Sequence, residues 1–445
     1  MKIVIAGAGQ VGSHLARLLS GENQDIIVVD ADQRNLSTLD GSCNLLTLRG
    51  NPISFEVLRE ARVGSCDLFV AVTPQETTNV VACTMAKSLG AKRTVARIDN
   101  YEFMRKANSE FFTRQGVDVM IYPEYLAARE ILQALERNWV RNWFEIHNGQ
   151  LIVVGLKIRD NSEFAGLQLR NLFTLSHNFH VSAIKRRHET IIPRGNDVIQ
   201  PDDIVYFTTV PEGVDELRRM SGKRQVSIRR ILIVGGSRIA VRLVNMAPDR
   251  YRFSIIEQNR ERCDRLAELC PQATIINADG RDIDVLRQEG IAEADAFVAL
   301  TDRSESNILT CLTSKEHGVV KTIAEVEEMQ FISEAENLNI GTIINKKLLA
   351  SAKVFQMLLD SDSESSKFMA LADADVAEIE VRPGAKITKG PVKDLHLPVG
   401  MNIAGLIRPD GKGILVGGDT VIQPGDHVVV FCLAGIIHKV ERLFN

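Results

Sequence analysis

The phrase Lys2-Ile-Val-Ile-Ala-Gly-Ala-Gly near the start of the chain returns as Arg230-Ile-Leu-Ile-Val-Gly-Gly-Ser, so that Gly7 recurs as Gly235, 228 positions on. The same separation pairs Asn51 with Asp279, Leu58 with Leu286, Asp67 with Asp295, Thr73 with Thr301 and Asn79 with Asn307. It then drops to 223 and pairs Ile121 with Ile344, Ala127 with Ala350, Gln200 with Gln423, Pro201 with Pro424 and Asp203 with Asp426. The change falls between about 100 and 120, in a loop or a helix end. The 445 residues are therefore a tandem duplication. Whatever one copy folds into, the other must fold into as well.

Within a copy, short apolar runs alternate with helical stretches. In the first, the runs 3–6, 26–29, 44–47, 68–72 and 94–97 read as strands, and 12–20 and 79–89 as helices between them. Strands separated by helices of that length imply βαβ units and a parallel sheet. The remainder of each copy is β-rich, with runs such as 203–207 and 426–431 broken by Pro and Gly. The fold class is thus α/β: two Rossmann-like doubly wound parallel-sheet domains, each followed by a small α+β domain. The expected division is 1–140, 141–222, 229–360 and 366–445, with 361–367 as a linker. A helix at each junction is unusual. The first, 123–137, begins with Pro and carries Leu126, Ile131, Leu132 and Leu135; the second carries Leu348, Leu349, Val354, Phe355, Leu358 and Leu359. Such a helix either packs inside its own domain or crosses over to bury itself between repeats or subunits.

Gly7-Ala8-Gly9-Gln10-Val11-Gly12 matches G-x-G-x-x-G directly after one strand and before one helix. In that setting the three glycines serve, in turn, a tight turn, close backbone approach to a pyrophosphate, and close helix–sheet packing. The helix N-terminus then presents unpaired N–H groups and a positive dipole end to phosphates. Asp30 closes the next strand, where a carboxylate accepts from both ribose hydroxyls and repels a 2′-phosphate. NAD(H), or an adenine nucleotide such as ATP or ADP, is expected over NADP. Ligands of open α/β sheets lie at the carboxyl ends of the strands, which adds Asn51, Thr73, Pro74 and Arg97. Arg97 is either a cation near the ligand or a member of an ordinary ion pair.

The second copy reads Gly235-Gly236-Ser237-Arg238-Ile239-Ala240. Ser237 stands where Gly9 stood and puts a β-carbon towards the pyrophosphate. Glu257 supplies an acid, Asp279 and Thr301 take the places of Asn51 and Thr73, and Glu325 reverses the charge of Arg97. Any ligand of this copy is expected to differ from that of the first, and whether it binds one stays open.

Composition narrows the class. An apolar content of 45%, a charged content of 25% and a net charge of −4 describe an ordinary globular protein with no general pull towards nucleic acid. No apolar run approaches the ~20 residues that cross a bilayer, and the chain is expected to carry no secretory signal. Seven cysteines without Cys-x-x-Cys spacing argue against a disulfide framework or a zinc site. Cys66, Cys83, Cys311 and Cys432 read as reduced core residues in a cytosolic chain.

The residues named so far resemble the TrkA family of regulatory subunits of Trk-type potassium-uptake systems. The glycine turn, Asp30 and Ala71-Val72-Thr73 followed by Asn79, repeated as Ala299-Leu300-Thr301 and Asn307, are similar to an RCK (KTN) domain. Ile192-Pro-Arg-Gly-Asn-Asp197 to Gln200-Pro-Asp-Asp203, with its repeat from Gly417 to Asp426, is similar to a TrkA-C module. The resemblance implies NAD(H) or ATP/ADP binding and a homo-oligomer, dimer or tetramer, forming a gating ring. It also implies an integral-membrane potassium channel or transporter as partner and peripheral attachment to the cytoplasmic face of the membrane. The rival is an NAD-dependent dehydrogenase. That chemistry needs a general acid or base near the nicotinamide, and the nine histidines, among them His14, His147, His188 and His427, suggest no grouping with a carboxylate.

Overall fold

The computed structural model describes residues 1–20, 24–39, 45–187, 189–338, 340–359, 367–371, 374–433 and 436–444. The expected linker falls outside them except for Lys367.

The first sheet contains β1 (Lys2–Ala6), β2 (Asp25–Asp30), β3 (Leu46–Arg49), β4 (Leu68–Ala71), β5 (Arg93–Arg97) and β6 (Val119–Ile121). All pairs are parallel, in the order β3-β2-β1-β4-β5-β6. A parallel strand flanked by helices is buried on both faces and reads as a continuous apolar run rather than an alternating one; β4, Leu-Phe-Val-Ala, is buried at every position. Two strands differ from the sequence expectation. Strand β3 lies two residues later than expected, and β6 has no counterpart among the expected runs, because three residues carry no periodicity.

The first module holds β7 (Asn142–Ile146), β8 (Leu151–Lys157), β9 (Phe179–Arg186), β10 (Glu189–Ile191) and β11 (Ile204–Thr209), all antiparallel, ordered β10-β9-β11-β8-β7. The second copy repeats both layers. Strands β12 (Arg230–Val234), β13 (Arg252–Glu257), β14 (Thr274–Asn277), β15 (Ala296–Ala299), β16 (Lys321–Glu325) and β17 (Thr342–Ile344) are ordered β14-β13-β12-β15-β16-β17. Strands β18 (Lys367–Leu371), β19 (Ala374–Glu380), β20 (Met401–Ile407), β21 (Gly413–Leu415) and β22 (His427–Leu433) are ordered β18-β19-β22-β20-β21. The Gln-Pro-x-Asp turns have a structural role. Buried Asp203 accepts from Gln200 N at 2.8 Å and from Arg186 Nη2 at 2.8 Å, and buried Asp426 accepts from Gln423 N at 2.7 Å and Arg408 Nη1 at 2.6 Å.

The junction helices cross over. In Pro123–Glu136, the buried Ala127, Ala128, Ile131 and Leu135 share a core with Ile231, Ile239, Leu243 and Val244 of the second lobe. In Lys346–Leu359, Ala350, Val354 and Met357 join Ile5, Val11 and Leu15 of the first. Each lobe is thus completed by a helix from the other copy. Burial of Ile131, Leu135 and Val354 is worth roughly 1.5–3 kcal/mol apiece, which makes the lobes energetically interdependent. The modules also pack together: Leu151, Val153 and Tyr206 face Val376, Val429 and Phe431, and Asn402 Nδ2 donates to Val181 O at 3.0 Å.

Candidate functional site

The order of the first sheet reverses between β1 and β4, and the glycine turn lies at the carboxyl end of β1, at that switch point. Gly7 has φ +107°, and a Cβ there would lie 2.9 Å from Thr73 N. A Cβ on Gly12 would lie 1.8 Å from Gly7 O, with Val72 Cγ2 next at 3.3 Å. The last glycine therefore makes room chiefly for the turn's own carbonyl, and only secondarily for the sheet. A Cβ on Gly9 would meet nothing within 4 Å. The turn is closed behind and open in front, and its open face leads into the helix Gln10–Ser20. Asp30 braces it: Ala8 N donates to Oδ2 at 2.6 Å and Asp32 N to Oδ1 at 2.8 Å. Asn35 Nδ2 also donates to Oδ1, at 3.3 Å; a carboxylate has about four acceptor sites, so Oδ2 is the oxygen that retains acceptor capacity. Ala8 is buried, Gln10 is exposed and Val11 belongs to the core.

The other expected positions divide. Gly50 N donates to Asp30 O at 2.9 Å, which sets exposed Asn51 beside the acid, and Asn51 Oδ1 accepts from Ile53 N at 3.1 Å. Thr73 is bonded within the fold. Its N and Oγ1 donate to Asn79 Oδ1 at 2.9 and 2.7 Å, and Asn79 Nδ2 donates to Thr73 O at 3.0 Å and Arg97 O at 2.9 Å. Buried Asn79 thereby ties the ends of β4 and β5 together, with Pro74 exposed in the loop beyond. The guanidinium of Arg97 pairs with Asp99, Nη2 to Oδ1 3.2 Å.

In the second lobe Gly235 has φ +100° and the acid role is filled by buried Glu257, whose Oε2 accepts from Gly236 N at 2.9 Å and Oε1 from Asn259 N at 2.9 Å. The hydroxyl of Ser237 caps its own helix by accepting from Ala240 N at 3.4 Å. It thus engages the N–H whose first-lobe counterpart belongs to Gly12, which Gly9, having no side chain, cannot cap. Ile239 is buried in the core. Asp279 is held by Arg281, Nη2 to Oδ2 2.7 Å, and its carboxyl lies below the usual range chiefly because of that hydrogen bond. The Asn clamp recurs: Thr301 N donates to Asn307 Oδ1 at 3.1 Å and Asn307 Nδ2 to Glu325 O at 2.9 Å.

The sequence assigns Arg238 to the second turn, yet its side chain reaches into the first lobe. Nη2 lies 3.1 Å from Glu124 Oε1 and Nη1 3.8 Å from Asp99 Oδ2. Next to it the Arg242 guanidinium lies 3.3 Å over the Tyr101 ring. The opposite seam is built from the equivalent positions. Lys347 pairs with Glu327 at 2.6 Å and donates to Gln10, Lys346 lies 3.1 Å from Glu325 and also pairs with Glu327, and Ser351 Oγ donates to Val11 O at 3.4 Å. Burial pushes the Glu325 carboxyl upward; at Glu327 burial acts the same way but hydrogen bonds from Lys346 and Lys347 outweigh it and hold the group down. Sequence reasoning misses Asp99, Glu124, Glu327, Lys346 and Lys347. The repeat offsets align Gln10 with Arg238 and Glu124 with Lys347, which is the available signal, but they do not say that these positions meet. A second correction concerns histidine: His147 Nδ1 and His427 Nδ1 lie 3.5 and 3.3 Å from Glu378 Oε1, a grouping that spacing does not suggest. It belongs to the modules, not to either Rossmann sheet.

Comparison with known proteins agrees with this duplicated plan. The TrkA-N domain model matches residues 3–123 and 231–346, and the TrkA-C domain model matches 153–222 and 376–445. Curated relatives include Trk system potassium uptake protein TrkA homolog 1 of Methanosarcina mazei, 29% identical with all of both chains covered. Trk system potassium uptake protein TrkA of Azorhizobium caulinodans is 28% identical, covering 100% of this chain and 99% of the relative. Among solved structures, the GsuK RCK domain superposes with a TM-score of 0.60 at 16% identity, covering 100% of this chain and 94% of that one. The GsuK channel bound to NAD also gives 0.60 at 16% identity, covering 100% of this chain and 78% of that one.

Proposed function

The chain belongs to the TrkA family, whose TrkA-N and TrkA-C domains it carries twice, and from that premise we propose that it is a cytosolic, nucleotide-sensing regulatory subunit of a Trk-type potassium transporter. In this reading the Rossmann units span 1–140 and 229–360 and the modules 141–222 and 366–445. The ligand of the first lobe is NAD(H), with ATP or ADP as the alternative. The partner is an integral-membrane potassium-conducting subunit, and copies of the chain assemble beneath it on the cytoplasmic face. Relatives named as potassium uptake proteins and structural neighbours solved with NAD and with ADP support that choice, as does the absence, among the described residues, of any helix long and apolar enough to cross a membrane.

The residues present fit a pyrophosphate. Space lies open before Gly9, none is left behind Gly12, and Asp30 retains acceptor capacity for a ribose. A 2′-phosphate at Asp30 would meet like charge. Gly7, Ala8, Gly9, Gln10, Val11, Gly12, Asp30 and Asn51 are the proposed contacts. Thr73, Pro74 and Arg97 border them. In the second lobe Gly235, Gly236, Ser237, Arg238, Ile239, Glu257, Asp279 and Thr301 form the weaker counterpart.

One observation carries the regulatory part: the helix that holds Gln10 and Val11 at the ligand turn is covered by the junction helix of the other copy, through Lys347 and Ser351. A ligand seated at the turn lies against the joint between the lobes. It can shift their arrangement by as much as its affinities for two arrangements differ, about 1.4 kcal/mol for tenfold. The chain acts without turnover in this reading, since the His147–Glu378–His427 grouping is not on a Rossmann element. Calorimetric titration of the full chain with NAD, NADH, ATP and ADP tests the proposal. Asp30→Ala should weaken the preferred nucleotide at least about tenfold, near 1.4 kcal/mol. Unchanged affinity removes the site, and oxidation of NADH against an added carbonyl substrate would favour the dehydrogenase.

A further inference from the structure

A cavity of about 330 Å³ lies not over either glycine turn but between the first module and the second Rossmann lobe. The module contributes Arg141, Lys157 and Arg159 to its wall, and the segment that follows it Lys223 and Arg224. Lys315 and Lys321 face them from the lobe, and none of the described lining residues is an Asp or Glu. Some of this charge is answered from outside the cavity. Lys157 pairs with Asp202 at 2.9 Å, Arg141 Nη2 donates to Glu336 O at 3.3 Å, and Glu130 acts on Lys321 from the junction helix. The three arginines, Arg141, Arg159 and Arg224, hold the cleft positive whatever the state of its lysines. Lys321 is only 6% exposed, with its ammonium 3.4 Å from Val140 O. Burial, then repulsion from neighbouring cations, pushes Lys321 and Lys223 down to about 7 and Lys315 to about 8. Thr342, which also lines the cavity and is 7% exposed, has a buried hydroxyl with no hydrogen-bond partner among the described residues.

The duplication shows that this charge is specific to one copy. In the first lobe, Asp118 accepts from Lys87 Nζ at 2.8 Å and from Thr94 N at 2.8 Å. Its counterpart one residue before β17 is Gly341, while the counterpart of Lys87 is Lys315. The cation is kept and the carboxylate is dropped. On the module side Lys157 corresponds to Glu380 in the other copy, so the sign there is reversed as well. Cations crowded into a half-enclosed cleft raise the free energy of the protein unless an anion joins them, and charge-assisted hydrogen bonds to phosphate oxygens are the strong kind.

We propose that this cleft binds a small soluble polyphosphate, a compound with at least two adjacent phosphate groups, and so clamps the first module to the second Rossmann lobe. The cavity lies at the small end of ligand pockets, enough for a pyrophosphate group and part of what it carries. Such a site is a second input, independent of the nucleotide turn.

Inorganic pyrophosphate is the probe, titrated calorimetrically into the full chain with and without saturating NAD. Binding should persist with NAD present. The double variant Arg159→Ala, Lys223→Ala should lose at least tenfold in pyrophosphate affinity while its NAD titration is unchanged; Arg159 is exposed and Lys223 half-buried, and the unchanged NAD titration reports that the fold is kept. Lys321→Met should abolish the signal, and circular dichroism reports whether that variant has folded. No pyrophosphate binding, binding that NAD removes, or a double variant that binds like the parent overturns the proposal. Sedimentation with phosphatidylglycerol vesicles separates a membrane-borne source. Vesicle capture that the double variant loses, with pyrophosphate bound by neither protein, would mean that the cleft reads a lipid surface and would also overturn the proposal.

Discussion

Gly9 and Ser237 occupy the same step of the same turn in the two Rossmann lobes, and what surrounds them separates two kinds of residue. Residues that shape the backbone are the same in both copies except at Gly12, which is Ala240 in the second. Gly7 and Gly235 both adopt positive φ, and Asn79 and Asn307 both tie a threonine to the end of the fifth strand. Residues at and near the strand ends that carry no such backbone role have diverged: Gly9 to Ser237, Gln10 to Arg238, Arg97 to Glu325, Asp118 to Gly341. Duplication therefore preserved the scaffold and released the chemistry on it. The first lobe keeps an open turn. The second commits its serine to a cap and its arginine to a bridge to Glu124.

The largest effect should come from Gly12→Ala. Its Cβ would stand 1.8 Å from Gly7 O, so the turn must deform, and nucleotide binding by the first lobe should fall more than about a hundredfold, ~2.7 kcal/mol. The second lobe already has Ala240 at that step, buried within its core. Reversing it, Ala240→Gly, should cost only the helix-propensity difference of about 1 kcal/mol. Calorimetry and thermal melts of the pair would decide; a Gly12→Ala protein with parental affinity breaks the contrast. Next in size are Asn79→Ala and Asn307→Ala. Each leaves buried backbone groups without partners, and about 2–3 kcal/mol of stability should be lost in either lobe. Here the expectation is equality. A loss confined to one lobe in denaturant titrations would mean that the clamp is structural in only one copy.

How much of this was legible follows the same division. Glycines required by φ or by contact left a recognisable spacing, and the βαβ alternation pointed to the sheet, because both are local consequences of backbone sterics and burial. Strand β6 was too short to show a period. The destination of the junction helices stayed open, since Ile131 and Leu135 advertise an apolar face without naming the surface that covers it. The same limit hid the partner of Arg238: a cation at a helix start does not name Glu124 of the other lobe as the carboxylate it meets. Thr73 drew attention by standing at a strand end, whereas Asn79, which holds it, spoke only through the repeat.

A smaller contrast is electrical. Lys321 of the second lobe corresponds to Arg93 of the first, and arginine does not deprotonate in proteins. The groups acting on Lys321 are Arg141, Lys315 and Glu130, and burial with cation repulsion brings it from 10.5 down to about 7. The unfolded chain therefore binds the proton more tightly than the folded one between about pH 7 and 10.5. Stability must rise with pH across that window and be lost as pH falls towards about 7. Comparing wild type with Lys321→Met between about pH 7 and 8.5 isolates the effect of this side chain, because the thiols and the α-amino group, which also titrate there, are common to both proteins. The wild type should gain stability relative to the variant as pH rises. A difference that stays flat would mean that Lys321 remains charged in a wetter cleft.

The smallest stability change and the sharpest test of the comparison belong to Ser237→Gly. Replacing a serine cap by glycine costs only a few tenths of a kcal/mol, so the melt should barely move. The substitution frees the Ala240 N–H and removes the one side chain that separates this step from Gly9. If the open glycine step is what distinguishes the lobes, calorimetric stoichiometry for the nucleotide should rise from one site per chain towards two. If it stays at one, the barrier lies in Arg238 drawn away to Glu124 and in the buried Glu325, which when ionised would oppose phosphate, beyond what Lys346 offsets, at the place where the first lobe has Arg97. Adding Glu325→Gln to the glycine variant then separates those two causes, because it removes the charge while leaving the Asn307 bond to the backbone carbonyl of residue 325 in place.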